Sequence, residues 1–245
     1  IFGLKILDRE KTAAFESRFK GLNKPSEGDI SRAIKHPRIV ETYQQGLTST
    51  GQYYLLMEYL EGPVLNALIL NRSGLLAGKW VELIRQMAEA IDGVHKAGYI
   101  HRDICPRNFI CTPDAESIKL IDFGLTVPAT KEFTQPGNRT GTPNFMAPEI
   151  VRRRSTDQRV DLFAMGVSAY QICTFEQPWP GTDMTSKGAM LHEIVPSVDI
   201  LQVRPRLNKT LAKTIMRCLA PKPDDRPESA EAFLQMIRHV RHDEE

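Results

Sequence analysis

The stretch HRDICPRN, residues 101–108, places Asp103 five positions before Asn108 in a segment that reads as a short loop. A helix is predicted before it, because the apolar residues of KWVELIRQMAEAIDGVH (79–95) fall on one helical face. Gly98 is typical of the position that ends such a helix. Two short apolar runs follow the loop as predicted strands. The loop therefore carries a carboxylate and an amide side chain between regular elements.

The rest of the chain divides into a small β-rich part and a larger helical part. IFGLKIL (1–7) alternates as a strand does, and residues 12–35 are predicted to be partly helical, with an interruption at NKPSEGD (23–29). Two β-rich runs around Ser-Thr-Gly (40–60) predict a hairpin. Beyond the loop region, further helices are predicted around residues 158–175, 209–219 and 228–240.

Composition and charge exclude several classes of protein. The 245 residues are 41% hydrophobic and 25% charged, with a net charge of +2. The chain can bury a sizeable core, and its charge favours neither a nucleic-acid nor a membrane partner. No apolar run reaches the roughly 18–20 residues needed to span a bilayer. The four cysteines lack CxxC and metal-ligand spacing, which predicts unpaired thiols in a reducing, cytoplasmic setting.

Two further motifs follow HRDICPRN, namely IDFGL (121–125) and GTPNFMAPE (141–149), and FGLK (2–5) precedes it. In this order and at this spacing they resemble the catalytic domain of eukaryotic-type protein serine/threonine kinases. The resemblance runs from the third strand of the small lobe to the last helix of the large lobe.

This resemblance implies an α+β, two-lobe fold. Residues 1–60 would form an incomplete β-rich N-lobe, consisting of the third strand, the following helix, a hairpin and the hinge. Residues 61–245 would form a mainly helical C-lobe that contains the catalytic loop and the activation segment.

The resemblance also implies a phosphotransferase that uses ATP and Mg²⁺ and acts on a protein substrate. Catalysis of phosphoryl transfer is mostly positioning and cation placement, because negative charge builds around the γ-phosphate. Asp103 would orient the substrate hydroxyl and accept its proton. Asp122 and Asn108 would hold Mg²⁺, which prefers hard oxygen ligands.

By the same resemblance, Lys5 would contact the α- and β-phosphates and pair with a glutamate on the next helix. Glu27, ten residues before Pro37, is the best match. The alternative is a solvated lysine and a surface carboxylate. Gly28 and Asp29 argue for that alternative, because both are poor residues for a helix interior.

The hinge that binds adenine through its backbone would be Met57, Glu58, Tyr59 and Leu60. The alternative is a buried strand followed by a turn. Ser31, one turn after the candidate glutamate, stands where such kinases usually pack an apolar side chain.

Cys105 departs from the pattern, since serine/threonine kinases place a phosphate-neutralising lysine at this position. Loss of that cation forfeits an interaction of up to about 4 kcal/mol, at an effective dielectric of 20 and 4 Å. Arg107 is the candidate replacement, because arginine keeps its charge and offers a fork of donors to phosphate. The alternative for Arg107 is an exposed loop residue. Cys105 itself is expected to be a small side chain without a special role.

Other matching residues are expected to support the loop. His101 would pack below Phe123, and Arg102 would receive a phosphorylated activation segment, with Thr134 and Thr140 as candidate acceptors.

The end of the activation segment has two expected contacts of its own. Glu149 would pair with Arg226, and Asp161 would cap the catalytic loop from below. Thr142, seven positions before Glu149, resembles the serine/threonine class.

The sequence contains no glycine-rich GxGxxG segment before FGLK, so the strand of Lys5 is expected at a sheet edge. We expect the chain to be a fragment of a longer, active product. Dimerisation or regulatory domains and a membrane anchor are left open for the rest of that product. The rival interpretation is a pseudokinase, a non-catalytic binding or scaffolding module. A small-molecule kinase is disfavoured, because such enzymes usually lack a segment ending in APE.

Overall fold

The first part of the chain is built on a three-stranded antiparallel sheet. In the computed structural model of the protein, which describes residues 1–137, 139–180 and 185–244, its strands are β1 (Phe2–Ile6), β2 (Thr42–Leu47) and β3 (Tyr53–Glu58). The strand order is β1-β3-β2, so the predicted hairpin β2–β3 is confirmed. Within the described residues β1 pairs only with β3, which confirms the predicted sheet edge and places Lys5 opposite Leu55.

Two helices connect β1 to β2, namely α1 (Arg9–Glu16) and α2 (Glu27–Ala33). The sequence predicted a break in the helical region over residues 23–29, but α2 already begins at Glu27, so the last three residues of that break are helical. Ser26 caps α2: Asp29 N donates to Ser26 Oγ at 3.1 Å, and Ser26 N donates to the Asp29 carboxylate at 3.2 Å. This capping box satisfies two main-chain donors that a helix start leaves free. Asp29 thus starts the helix instead of breaking it.

Gly28 has a packing reason to stand in α2. A Cβ atom at this position would lie 1.8 Å from Gln45 Oε1 and 3.0 Å from Gln45 Cβ, so a side chain here would force Gln45 of β2 to move. The close approach carries Glu27 toward the inner side of the sheet, where Lys5 lies.

The remainder of the chain is mainly helical, which confirms the predicted α+β class. Its described helices are α3 (Leu65–Leu70), α4 (Trp80–Lys96), α5 (Pro148–Val151), α6 (Arg159–Thr174), α7 (Ser186–Ala189), α8 (Ile200–Val203), α9 (Lys209–Cys218) and α10 (Ala230–Met236). Two small sheets lie among them, one pairing β4 (Tyr99–Ile100) with β7 (Val127–Pro128) and one pairing β5 (Phe109–Cys111) with β6 (Ile118–Leu120).

The core of this part lies around α4 and α6. The predicted apolar face of α4 is buried, and Gly98 follows the helix at a φ of +84°. The α6 helix is buried on all sides from Val160 to Thr174, as expected for a helix at the centre of a domain. The α10 helix ends earlier than predicted, although Ile237 and Val240 beyond it are still buried.

All four cysteines are buried and unpaired, as the sequence predicts. Of the helices formed by residues 1–137, 139–180 and 185–244, none is both long enough and apolar enough to cross a membrane.

Candidate active site

The loop 101–108 is anchored from below by Asp161 of α6. Its carboxylate accepts hydrogen bonds from the main-chain N–H groups of His101 and Arg102, both at 2.8 Å, and lies 2.9 Å from His95 Nε2. Burial favours the protonated acid, but the hydrogen bonds and the nearby imidazoles outweigh it and hold the pKa of Asp161 below its ordinary value. The predicted capping role of Asp161 is confirmed.

The carboxylate of Asp103 is oriented from two sides. Asn108 Nδ2 donates to Asp103 O at 2.7 Å and to Asp103 Oδ2 at 3.0 Å. From the segment after β7, Thr142 donates its main-chain N–H at 3.0 Å and its hydroxyl at 2.8 Å to Asp103 Oδ1. Each carboxylate oxygen of Asp103 is therefore fixed by a different neighbour, Oδ1 by Thr142 and Oδ2 by Asn108.

Lys5 joins three elements through one ammonium group. Its Nζ lies 2.6 Å from Glu27 Oε1 on α2 and 2.9 Å from Asp122 Oδ1 after β6. Burial disfavours the charged amine, but the two carboxylates outweigh it and raise the pKa of Lys5. The Glu27 side chain is only 10% exposed, so the alternative of a surface carboxylate is wrong. Burial raises the pKa of Glu27, and the charge of Lys5 opposes that rise.

Asp122 stands in the left-handed region, with a φ of +67°, which is uncommon for a residue other than glycine. Gly124 N donates to its Oδ1 at 3.0 Å and helps to hold this conformation. Burial would raise the pKa of Asp122, but Lys5 outweighs it and lowers the pKa. The next residue, Phe123, packs edge-on against the ring of His101 at 5.2 Å, as predicted.

The side chains of Asp122 and Asn108 offer oxygen donors, which fit Mg²⁺. Within the described residues, no group of three or more His, Cys, Asp or Glu side chains could hold a metal ion by itself. This donor set fits a Mg²⁺ ion that shares its coordination with phosphate oxygens, which is how this ion is usually bound beside nucleotides.

A cavity of about 330 Å³ lies between the sheet and the helical part. Its walls are mostly apolar and include all four predicted hinge residues, Met57, Glu58, Tyr59 and Leu60, together with Lys5, Glu27 and Asp122. The carboxylate of Glu58 is held by Lys119 Nζ at 2.6 and 2.7 Å, which fixes the end of β3.

The lining of this cavity includes two hydroxyl side chains. Ser31 of α2 and Thr42 of β2 line it, and both are buried. Thr42 Oγ1 has no hydrogen-bond partner among the described residues.

A second cavity, of about 340 Å³, opens in front of Asp103 and Asp122. Lys5 and Lys24 contribute cations to its lining. The two cavities together form a cleft in which every predicted site residue except Asn108 and Arg107 lines a wall.

Cys105 and Arg107 occupy different environments. Cys105 is buried; burial and the charge of Asp103 raise the pKa of its thiol, so the group is a neutral, packed side chain at neutral pH. Arg107 is exposed, and its Nη2 donates to Thr142 Oγ1 at 2.9 Å. Arg107 therefore reaches the same hydroxyl that binds Asp103.

Arg102 is buried, and its guanidinium contacts only neutral acceptors in the described part of the chain. Its Nη2 donates to Phe133 O at 2.8 Å and to Thr156 Oγ1 at 3.1 Å. The hydroxyl of Thr134 donates to main-chain oxygens of its own segment, and the hydroxyl of Thr140 is buried. Their phosphorylation stays a prediction.

Glu149 and Arg226 form the predicted ion pair, which is confirmed. The guanidinium binds both carboxylate oxygens, at 2.7 and 2.9 Å, and lies 4.9 Å from the ring of Phe163. Both side chains are buried, and this pair ties the end of the segment 126–149 to the turn before α10.

Two features of the site were missed from the sequence. The bond from Thr142 to Asp103 spans 39 residues, and only the presence of a hydroxyl in GTPNFMAPE could have suggested it. That Ser31 and Thr42 line the same cavity carries no local signal, because the two residues lie on different elements.

Comparison with known proteins agrees with this geometry. The family described as "Protein kinase domain" matches residues 1–239. Serine/threonine-protein kinase Pkn1 of Myxococcus xanthus is 34% identical over 226 residues, 88% of this chain and 32% of that protein. Serine/threonine-protein kinase pkn3 of the same organism is 31% identical over 245 residues, covering 96% and 43% respectively.

A third relative, serine/threonine-protein kinase PknE of Mycobacterium tuberculosis, is 31% identical over 201 residues, 82% of this chain and 35% of that protein. The chain thus spans about a third to somewhat under half of the length of these relatives. With a family match over nearly its whole length, the chain belongs to the protein kinase family, and these relatives are serine/threonine kinases.

Proposed function

We propose that this domain transfers the γ-phosphate of ATP to serine or threonine hydroxyls of a protein substrate. One observation carries the proposal: Lys5 contacts both Glu27 and Asp122, at 2.6 and 2.9 Å, beside an Asp103 whose two oxygens are already oriented. A site that needs little rearrangement before reaction lowers the barrier to transfer. A pseudokinase has no chemical need for such an arrangement.

The nucleotide would occupy the cleft with its base against residues 57–60. The apolar walls of the 330 Å³ cavity suit a flat aromatic ring, and Lys5 lies where the phosphates would leave that cavity. The ammonium of Lys5 would exchange part of its contact with Asp122 for phosphate oxygens. Mg²⁺, held by Asp122 and Asn108 together with phosphate oxygens, would neutralise charge on the transferred group.

Asp103 would act on the substrate hydroxyl. Its carboxylate orients the hydroxyl and takes the proton as the hydroxyl oxygen bonds to the γ-phosphorus and the bond to the β-phosphate oxygen breaks. ADP is released with the electrons of that bond. Asn108 and Thr142 keep the carboxylate in place while its charge changes.

Hydroxyls of serine and threonine are the proposed acceptors, because Thr142 lies against Asp103 and Arg107 and the relatives above are named serine/threonine kinases. ATP and a protein are therefore the proposed partners. The location of the domain in the cell is proposed to be cytoplasmic.

The test is transfer of labelled γ-phosphate to a generic protein substrate by the full-length protein that contains this chain. Asp103→Ala and Asp122→Ala should each abolish transfer, whereas Asp224→Ala, at a side chain 90% exposed, should leave it unchanged. Turnover unaffected by the first two variants would overturn the site assignment. Binding of Mg·ATP without any transfer by the unmodified protein would instead identify a pseudokinase.

A further inference from the structure

An aromatic cluster joins the segment before α2 to the segment after β7. Phe15 lies near the end of α1, Phe19 closes the short 3-10 turn that follows, and Phe133 comes from residues 126–147. The ring centroids of Phe15 and Phe19 are 5.2 Å apart, and those of Phe19 and Phe133 are 5.5 Å apart. Phe19 is 3% exposed and the other two are each 7% exposed, so Phe19 is the central ring of a buried cluster.

The main chain of Phe133 touches the catalytic loop. Its carbonyl oxygen accepts the 2.8 Å hydrogen bond from Arg102 Nη2, while its N–H donates to Thr130 O at 3.0 Å. Arg102 forms no ion pair with the described carboxylates, although it is buried. Arg102 is therefore held by the carbonyl of Phe133 and the hydroxyl of Thr156. A buried guanidinium is usually paired with an anion instead.

The same segment meets the catalytic loop a second time. Gly141 has a φ of +125°, and a Cβ there would lie 2.8 Å from Arg102 O, so the two backbones are in close contact. The next residue, Thr142, binds Asp103. Displacing Phe133 would therefore release Arg102 and loosen the contact that orients Asp103.

We propose that Phe19 is a positioning residue, which through Phe133 docks residues 126–137 and 139–142 on Arg102 without any phosphate on that segment. The proposal rests on the function proposed above, and it names the regulation of that site: phosphorylation at Thr134 or Thr140 is not required to assemble it. Aromatic rings prefer tilted or edge-to-face pairing, which the cluster has, and an aliphatic side chain cannot reproduce it.

The test uses the full-length protein after phosphatase treatment, with loss of phosphate verified by mass spectrometry. Phe19→Leu keeps a buried apolar side chain but removes the ring. Phe233→Leu is the matched control, because Phe233 is equally buried in α10, in the other part of the molecule. We measure kcat, KM for ATP and hydrogen exchange of residues 126–137 for each variant.

The unphosphorylated wild-type protein should be active. Phe19→Leu should lower kcat about tenfold, the loss expected for the aromatic pair that Phe19 makes with Phe133, with KM for ATP nearly unchanged and with faster exchange over residues 126–137. Phe233→Leu should leave kcat, KM for ATP and hydrogen exchange of residues 126–137 unchanged. Phe133→Leu should match Phe19→Leu, and the double variant should be no worse than either single variant, because both remove the same contact.

Two results would overturn the proposal: activity that disappears on phosphatase treatment, or exchange in Phe19→Leu that equals exchange in Phe233→Leu. A protein that transfers no phosphate in either state would contradict the proposed function instead. In that event hydrogen exchange alone still decides whether Phe19 docks the segment.

Discussion

Lys5 Nζ and Glu27 Oε1 lie 2.6 Å apart, although the residues are 22 positions apart and belong to an edge strand and a short helix. The contact depends on how α2 is placed. The Ser26–Asp29 capping box makes α2 begin at Glu27, so that this side chain faces Lys5. Gly28 allows close packing of the helix against the side chain of Gln45. Because Lys5 also binds Asp122, the ion pair fixes the relation between α2 and the segment that holds the predicted metal ligand.

The first prediction concerns this ion pair. Lys5→Met should lower kcat by at least about a hundredfold, because in the proposed mechanism it removes the cation that binds the phosphates. Glu27→Gln should have a smaller effect, since Lys5 keeps Asp122 as a partner. Lys35→Met, at an exposed lysine that pairs with Glu41, is the control and should have wild-type kinetics. Steady-state transfer of labelled γ-phosphate is the measurement, and a wild-type rate for Lys5→Met would contradict the role assigned to Lys5.

The second prediction concerns Arg107, the proposed replacement for the lysine that Cys105 displaces. Arg107→Ala should lower kcat about tenfold or more, because it removes the fork of donors beside Thr142 and Asp103. The double variant Cys105→Lys, Arg107→Ala should recover part of the loss. Because Cys105 is buried, the unfolding midpoint of the double variant must be measured with its rate. An unchanged rate for Arg107→Ala would mean that Arg107 is not the substitute.

The third prediction concerns the buried pair of Glu149 and Arg226. Arg226→Ala should lower the free energy of unfolding by about 3–5 kcal/mol, because it leaves a buried carboxylate without its partner. Arg154→Ala is the control: this arginine is 59% exposed and pairs with Glu193, so its loss should change stability by no more than about 1 kcal/mol. Urea unfolding followed by circular dichroism gives both values. Similar values for the two variants would show that Glu149 finds another partner.

Residues inside short motifs were predictable from the sequence, because each motif is local and the fold has one way to bring them together. Asp103, Asn108 and Asp122 were identified through the resemblance of HRDICPRN and IDFGL to the motifs of protein kinases. The start of α2 was not, because Gly28 and Asp29 were judged by helix propensity, which tertiary packing and capping overrode. Helix propensity treats each residue alone, whereas Gly28 packs closely against the side chain of Gln45 on another element.

Contacts between distant segments were also outside the reach of pattern reasoning. The resemblance implied that Arg102 receives a phosphate, which stays a prediction, but it gave no sign of the hydrogen bond from Arg102 to the carbonyl of Phe133. Every residue has a main-chain carbonyl, so no residue type in the sequence could have predicted this acceptor. The ring contacts of Phe19 were equally unpredictable. An isolated phenylalanine in a polar stretch predicts a buried side chain, but it does not indicate which residue the ring packs against.

The fourth prediction concerns pH. The folded-state pKa of Asp161 lies below its unfolded value, so its ionised form stabilises the fold at any pH above the unfolded value, about 3.9. That stability is lost as pH falls through the folded pKa. Asp161→Asn should therefore be least stable relative to wild type near neutral pH, and the difference should shrink below about pH 4. Urea unfolding between pH 7 and pH 3 is the measurement.

Asp225→Asn, at an exposed turn, is the control for this pH series. Its stability should follow the wild-type curve at every pH. A difference between wild type and Asp161→Asn that stays constant down to pH 3 would contradict the linkage. It would mean that the hydrogen bonds to His101 and Arg102 matter and the charge of Asp161 does not.

The fifth prediction concerns Thr42, which lines the 330 Å³ cavity. Thr42 Oγ1 is buried and has no partner among the described residues, and a buried hydroxyl without a hydrogen bond is destabilising. Thr42→Val replaces this hydroxyl by a methyl group of similar size. The variant should raise the free energy of unfolding by about 1 kcal/mol.

Thr214→Val is the matched control, because Thr214 is also 2% exposed but its hydroxyl donates to Thr210 O at 2.7 Å. Losing that bond should lower the free energy of unfolding by about 0.5–1.5 kcal/mol, so the two variants should shift stability in opposite directions. If Thr42→Val is destabilising to the same extent as Thr214→Val, the hydroxyl of Thr42 is hydrogen-bonded in solution. Since Thr42 lines the cavity, water bound there is the partner that such a result would identify.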